Sequence, residues 1–278
     1  MNAEEFATPV QVRIAIIIAV YNGAATLERT LDSLASQTRP PDEVVVMDGG
    51  STDGTQAILA RRSDVVSHWQ SGRDAGIFDA WNKALGHVTA EWVAFLGSDD
   101  RLWDDTVLQR LAAAAAAAPA APYIYGRVHE IDATGQVLAV VGRPWELCCE
   151  RFAIEMTLPH VGMLHRRAVC FAQGGFDTGY RIAGDYALLR PVLLRHDPVF
   201  VDMVVAAAQE GGVSTHPDRR VQSVREAGRA ILAGDGVRPL GWHLMLAKNH
   251  VRRWVWRLFG EGGLQKARAL VGADRSSR

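Results

Sequence analysis

The sequence predicts an α/β fold, with a mostly parallel sheet and helices on both faces over residues 1–215 and a helical C-terminal extension over residues 216–278. Three observations predict it. Apolar runs of strand length recur through the first hundred residues. Each is followed by a segment whose apolar residues recur at helical spacing. This strand–helix alternation is the pattern of βαβ units, whose crossovers lay helices over both faces of a parallel sheet.

Residues 13–20 are β-branched and apolar on both sides, as a central strand covered above and below requires. Residues 24–37 place Leu27, Leu31 and Leu34 on one helical face, and Pro40-Pro41 ends that unit. Residues 43–47 read as a second strand, 53–61 as a second helix and 64–69 as a short third strand. Residues 75–86 are helical, with Ile77, Trp81, Ala84 and Leu85 on one face, and 92–96 form the next strand. The helix expected over 104–118 ends in seven alanines, which are filler because alanine is the best helix former. Beyond Pro122 the pattern changes. Residues 123–131 and 136–141 flank Asp132-Ala133-Thr134-Gly135 and predict a hairpin. Residues 161–164 and 199–207 are further strands, and 183–194 a helix broken near Pro191.

Of the 278 residues, 48% are hydrophobic, enough for a sizeable core, and 22% are charged, with a formal net charge of -1. That balance lacks the positive field by which proteins gather nucleic acid, so no nucleic-acid partner is expected. Cys148, Cys149 and Cys170 match no metal spacing and no disulfide framework, which suits a reducing cytoplasm. Residues 1–11 are polar and acidic rather than basic and then apolar, so no secretory signal is expected. No uninterrupted apolar run reaches about 18 residues, the length a membrane-spanning helix needs. The expected location is the cytoplasm.

The sharpest chemical signal is Leu96-Gly97-Ser98-Asp99-Asp100. Two adjacent carboxylates follow a buried strand, at the edge where open α/β sheets place their ligands. They repel one another unless a cation or a hydrogen-bonded hydroxyl separates their tasks. Hard divalent cations take one or two carboxylates plus phosphate oxygens, so the pair points to a metal–diphosphate site. Capping of the next helix is the competing role, and Asp104 and Asp105 already supply it.

The first strand ends in Ala19-Val20-Tyr21-Asn22-Gly23, which lacks the G-x-G-x-x-G of dinucleotide sites. It offers a ring and an amide suited to cradling a base, or an ordinary turn. The second ends in Met47-Asp48-Gly49-Gly50-Ser51-Thr52-Asp53-Gly54-Thr55, where Ser51 or Asp53 can cap the following helix. Asp48 stands at the ligand edge and can accept from a base N–H or a ribose hydroxyl. Asp74, before the helix at 75–86, reads equally as an N-cap and as a ligand contact.

Taken in order, Val20-Tyr21-Asn22, Asp48 to Thr55, Asp74-Ala75-Gly76-Ile77-Phe78-Asp79-Ala80-Trp81-Asn82-Lys83 and Gly97-Ser98-Asp99-Asp100 resemble the family 2 glycosyltransferases of the GT-A fold, with its Rossmann-like sheet. The subgroup most resembled serves bacterial capsule and exopolysaccharide synthesis, including the colanic acid enzymes, and the resemblance spans roughly residues 13–215. It implies donor binding by Ala19, Tyr21, Asn22, Asp48, Gly49, Asp74, Gly76, Ser98 and Asp99. Tyr21, Asp48 and Asp74 would line the base and ribose pocket, and Asp99 would contact the ribose or donor sugar. Asp100 would bind the Mn²⁺ or Mg²⁺ that bridges the diphosphate. The family's D-x-D is here Ser98-Asp99-Asp100, with serine in place of the first acid.

In the second half, the resemblance makes Asp185 the base that deprotonates the acceptor, with Gly184 where a second acid often stands. Asp177, after Gly174-Gly175-Phe176, fits better as a turn residue. His160, in Pro159-His160-Val161-Gly162, is a candidate near the donor phosphates or acceptor, or a structural ring. His216, ending Gly211-Gly212-Val213-Ser214-Thr215-His216, is a candidate on a flexible loop near the site.

The implied reaction moves a sugar from a nucleotide-diphosphate donor, UDP ahead of GDP, to a hydroxyl of a glycan or lipid-linked acceptor, with inversion. The alternatives are a non-catalytic nucleotide-sugar-binding protein, which Ser98 and Gly184 permit, and a sugar nucleotidyltransferase, which the missing glycine-rich loop and lysine disfavour. Finally, residues 242–259 place Leu244, Ala247, Val251, Trp254, Val255 and Leu258 on one helical face. Lys248, Arg252, Arg253 and Arg257 lie on the remainder, with Trp256 near the polar side. Such a helix either makes peripheral contact with the inner face of the cytoplasmic membrane or packs its apolar face on the domain.

Overall fold

The computed structural model describes residues 12–209 and 217–273. Strand and helix alternate through β1 (Ile14–Val20), α1 (Leu27–Ala35), β2 (Glu43–Asp48), α2 (Thr55–Arg61), β3 (His68–Ser71), α3 (Ile77–Leu85) and β4 (Trp92–Gly97). There follow β5 (Arg101–Leu102), α4 (Val107–Ala117), β6 (Tyr123–Ile131), β7 (Val137–Val141), α5 (Cys149–Phe152), β8 (Leu164–Arg166) and α6 (Arg167–Ala172). The chain closes with α7 (Gly184–Leu193), β9 (Val199–Gln209), α8 (Pro217–Asp235) and α9 (Leu240–Ala273). The sheet order is β3-β2-β1-β4-β8-β6-β9-β5, with β7 paired to β6 as the predicted hairpin. β1 runs parallel to β2 and β4, and β2 to β3, whereas β8 enters antiparallel between β4 and β6.

Because successive strand residues face opposite sides, β1 feeds two cores. Ile14, Ile16, Ile18 and Val20 pack with Leu27, Leu31 and Leu34 of α1 and with Leu108 and Leu111 of α4. Ala15 and Ile17 face Phe78, Trp81 and Leu85 of α3, with Phe176 and Leu188 beyond them. A third cluster joins Tyr123, Tyr125, Phe152, Tyr186 and Leu189 to Val224 and Ile231 of α8 and Trp242 of α9.

Three of the expected elements differ in their bounds or course, each for a local reason. The third strand, expected over 64–69, starts at His68 because Val65 and Val66 donate back to the Arg62 carbonyl in a turn, from which Val66 drops into the core. The strand expected over 161–164 starts at Leu164, since Met163 donates to the His160 carbonyl and Gly162 takes a φ of 71°, which favours glycine. Pro191 does not break α7. It sits in the last turn, and the helix runs on to Leu193.

Candidate active site

The register of the parallel strands gathers the site. On β1, Val20 lies opposite Asp48 of β2 and Ala19 opposite Gly97 of β4, while Asp48 also lies opposite Ser71 of β3. Four strand ends therefore release their loops side by side, at the carboxyl edge where such sheets bind ligands.

Tyr21 leaves β1 with 67% of its surface exposed, so its ring face is available. Asn22 follows in the left-handed region, at a φ of 51°. Its amide N–H donates to Ser51 Oγ at 2.7 Å, and its side-chain Oδ1 accepts from the Thr52 N–H at 3.0 Å, so Asn22 stitches the first loop to the second. Asp48 is buried. It accepts from the Ser51 N–H at 3.1 and 3.2 Å, from Ser71 Oγ at 2.5 Å and from Ser51 Oγ. Its carboxylate shapes the loop around the site before it offers anything to a ligand.

A side chain on Gly49 would start 2.9 Å from Asp74 Oδ2 and 3.4 Å from Tyr21 Cδ2, which shows how closely these three residues converge. Asp74 does not cap α3. Its Oδ1 accepts from the Gly76 N–H at 2.9 Å, two residues on, and the cap position belongs to Gly76, which has no side chain to cap the helix with. Asp48 and Asp74 share a small cleft with Gln70, Arg73 and Lys83, the last paired to Asp79 at 2.8 Å. Arg73 and Lys83 carry no role in the sequence reading. The only signal for them was that Arg73 precedes Asp74 in the loop and that Lys83 lies in the helix that follows it.

At the end of β4, Asp99 and Asp100 fold back over Gly97. The Gly97 N–H donates to Asp100 Oδ2 at 2.9 Å, and a side chain on Gly97 would stand 2.7 Å from Asp99 Oδ1 and 2.9 Å from Asp100 Oδ2. Burial pushes the Asp100 carboxyl up to about 7, Asp99 pushes the same way, and the Gly97 and Gln209 amides oppose them. A buried carboxyl beside a second one is the environment a divalent cation neutralises. Among the described residues no group of three His, Cys, Asp or Glu converges on one point. Hard divalent cations take one or two carboxylates and complete their shell with phosphate oxygens, so the chemistry of this pair fits Mn²⁺ or Mg²⁺, with Asp100 as the residue that would hold it.

Polar residues on α1 and just past its end fix this loop. Thr30 Oγ1 donates to the carbonyl oxygens of Ser98 at 3.0 Å and Asp100 at 2.6 Å. One turn on, Ser33 Oγ accepts the Leu102 N–H at 3.2 Å. Gln37 donates to the Asp104 carbonyl at 2.6 Å and accepts from the Leu108 N–H at 3.0 Å. The three sit at i, i+3 and i+7, beside the leucine face, but the spacing does not show which loop they would bind.

Asp185 opens α7, and its Oδ1 accepts the Tyr186 N–H at 2.7 Å. A side chain on Gly184 would meet the Phe78 ring at 2.6 Å, so the acid expected before Asp185 has no room here. The preceding loop touches the Asp74 loop, since Arg181 donates to the Ala75 carbonyl at 3.2 Å. Burial pushes the Asp185 carboxyl up to about 6, the Tyr186 amide opposes it, and the charge of Glu226 adds to the rise. Glu226 of α8 is buried and accepts from the N–H groups of Arg181, Ile182 and Ala183 at 3.1, 2.8 and 2.9 Å. Burial works to raise the Glu226 carboxyl, and these amides together with Gln222 outweigh it and hold it low. Asp177 is the turn residue expected, accepting the Gly179 N–H at 2.7 Å.

His160 takes the structural alternative. Its ring lies 5.2 Å from Trp81, 5.4 Å from Phe95 and 4.8 Å from His165, Nε2 is buried without a partner, and burial pushes it down to about 3, so it is neutral. His216 and the glycine loop before it lie outside the described residues.

A sequence profile described as Glycosyl transferase family 2 matches residues 15–165. A PGL/p-HBAD biosynthesis glycosyltransferase of Mycobacterium bovis is 30% identical over 214 residues, covering 72% of this chain and 78% of the relative. An uncharacterized glycosyltransferase of Mycobacterium tuberculosis is 28% identical over 210 residues, covering 73% and 77%. Among solved structures, residues 1–349 of Staphylococcus aureus TarS in complex with UDP-GlcNAc superpose with a TM-score of 0.61 at 19% identity, over 87% of this chain and 72% of those residues of TarS. The mannosyltransferase PcManGT of Pyrobaculum calidifontis, in complex with GDP-Man and Mn²⁺, gives 0.59 at 22% identity, over 96% and 76%. At these identities the two structures speak for a shared fold.

Proposed function

The chain belongs to glycosyl transferase family 2, and from that premise we propose that it transfers a sugar from a nucleotide-diphosphate donor to a hydroxyl of a glycan or lipid-linked acceptor in bacterial surface polysaccharide synthesis, with inversion and with a divalent cation at Asp100. The observation that carries this reading is the register that sets Asp48 opposite Val20 and Gly97 opposite Ala19, so that the candidate base pocket and the acidic pair share one edge. UDP stands ahead of GDP as the nucleotide, and the cytoplasm is the proposed compartment. Among the described residues no helix is long and apolar enough to cross a membrane.

In this reading the exposed Tyr21 ring stacks on the base, and Asp74 and the loop ordered by Asp48 receive its polar edge and the ribose. Arg73 and Lys83, lining the same cleft, answer the diphosphate charge. Asp99 contacts the donor sugar. Asp100 would hold the divalent cation, which would supply charge neutralisation to the departing diphosphate. The Asp185 carboxylate accepts the acceptor's hydroxyl proton while the new C–O bond forms on the face opposite the leaving group, and one displacement inverts the anomeric carbon. A carboxyl near 6 is mostly ionised at neutral pH yet still basic enough to draw that proton, and such catalysis contributes about 10²–10⁴-fold.

The test is nucleoside diphosphate release and thermal shift across UDP- and GDP-sugars with Mn²⁺. Wild type releases one nucleoside diphosphate. Asp185→Asn keeps the donor-induced shift and loses about 10²–10⁴ in rate, while Asp100→Ala loses the Mn²⁺-dependent part of the shift. Donor binding by wild type without any turnover would convert the reading to a binding protein. Pyrophosphate released from a nucleoside triphosphate would make it a nucleotidyltransferase.

A further inference from the structure

Helix α9 turns one side to the protein and the other to solvent. Trp242 is buried with its indole N–H donating to the Val224 carbonyl of α8 at 2.8 Å, and Asn249 is buried on the same side. On the opposite side stand Leu240, Leu244, Ala247, Val251, Trp254 and Leu258, in one stripe at 3.6 residues per turn. Leu244 is 63% exposed, Val251 62%, Trp254 63% and Leu258 55%. The apolar face is therefore not the face that packs on the domain. A contiguous exposed stripe of this kind marks an interaction surface.

Charge selects what it meets. Residues 240–260 hold Lys248, Arg252, Arg253 and Arg257 and no acidic residue. Exposed Lys248 flanks the stripe on one side, with exposed His243 and Arg257 on the other. We propose that this stripe lies in the headgroup region of an anionic lipid bilayer, docking the transferase at a membrane surface. An apolar stripe with cationic flanks is what such a surface binds, and a tryptophan ring suits the boundary between headgroups and chains. The competing occupant is a second copy, because the stripe also has heptad spacing. Paired helices place opposite charges beside the apolar seam, whereas two copies of α9 would set cation against cation.

The inference deepens the lipid-linked alternative of the proposed acceptor, and its test is independent of turnover. The full chain, without donor, is co-sedimented with phosphatidylcholine vesicles with and without phosphatidylglycerol, at low and high salt. It partitions onto the anionic vesicles and is released by salt. The double variant Leu244→Glu/Trp254→Glu and the single variant Lys248→Glu each lower partition by about tenfold or more, with an unchanged thermal midpoint. Equal partition onto both vesicle types overturns the proposal. So does a dimer in light scattering that Leu244→Glu dissociates, since the stripe then belongs to a second copy. A transferase reading that fails leaves vesicle binding intact, and loss of vesicle binding leaves turnover of a soluble acceptor intact.

Discussion

The Glu226 carboxylate accepts the main-chain N–H of Ala183 at 2.9 Å, immediately ahead of the helix that presents Asp185. The N–H groups of Arg181 and Ile182 join the same oxygen, so one side chain of the C-terminal helices gathers three successive amides at the start of α7. Glu226 also leaves a negative charge near Asp185. The candidate base is thus both aimed and tuned from outside the stretch that carries the family's motifs.

Glu226→Gln keeps an oxygen for the amides and removes the charge. Asp185 then ionises more easily, and the acid limb of the kcat/KM profile, expected near pH 6 in wild type, moves to lower pH. Glu226→Ala leaves three main-chain donors without their acceptor, the Ala183 N–H of them buried, and costs about 1–3 kcal/mol of stability, read by denaturant unfolding. An acid limb that stays in place in Glu226→Gln shows that the titrating base is another group.

Thr30→Val preserves shape and removes the hydroxyl that binds the Ser98 and Asp100 carbonyls. Stability falls by about 1 kcal/mol. The concentration of Mn²⁺ needed for half-maximal donor-induced thermal shift rises, because the loop carrying Asp100 is no longer pinned. Thr30→Ser restores both. Full Mn²⁺ dependence in Thr30→Val would show that the Gly97 amide and the backbone hold Asp100 unaided.

The parts of the site legible in the sequence are those whose physics is local. Asp48 ends its apolar strand and Asp99 and Asp100 stand two and three residues past theirs, and that proximity alone places them at the ligand edge. Thr30 and Glu226 act over 70 and 43 residues, across elements whose packing no periodicity reveals. The same limit hid β5, a two-residue strand paired to β9, and the antiparallel entry of β8. For α9 the amphipathic pattern was visible, and only the structure decides that its apolar face points outward. For His160 the sequence leaves a site role and a structural ring both open, and its packing against Trp81 and Phe95 is a contact between distant segments that no local pattern shows.

Asp235→Ala tests how firmly α8 is fastened to α7. Arg190 is 3% exposed, and its guanidinium holds Asp235 through two bonds at 3.0 and 2.6 Å and Tyr186 Oη at 3.2 Å. Removing the carboxylate strands a buried cation and costs about 3 kcal/mol, and adding Arg190→Met recovers most of the loss. Unfolding free energies of the two singles and the double give the coupling. A loss below about 1 kcal/mol, the worth of an exposed pair, shows that water solvates the guanidinium once Asp235 is gone.

His165 makes stability depend on pH. It is fully buried, edge-on to Phe95 and Tyr123 at 5.1 Å each, and neither ring nitrogen has a partner. Burial, with His160 beside it, holds its pKa well below 6.5 in the folded protein. The unfolded chain takes up that proton near 6.5, so the contribution to stability is complete above this pH and is lost as pH falls. Asp100 and Asp185 work in the opposite sense over the same range, since their raised carboxyls bind protons in the folded state first. The whole-protein curve therefore masks His165, and the difference between wild type and His165→Phe isolates it. Measured by urea unfolding between pH 6 and pH 4, the variant gains on wild type by about 1.4 kcal/mol per pH unit. Parallel curves would mean that His165 charges in the folded protein, which its apolar surroundings oppose.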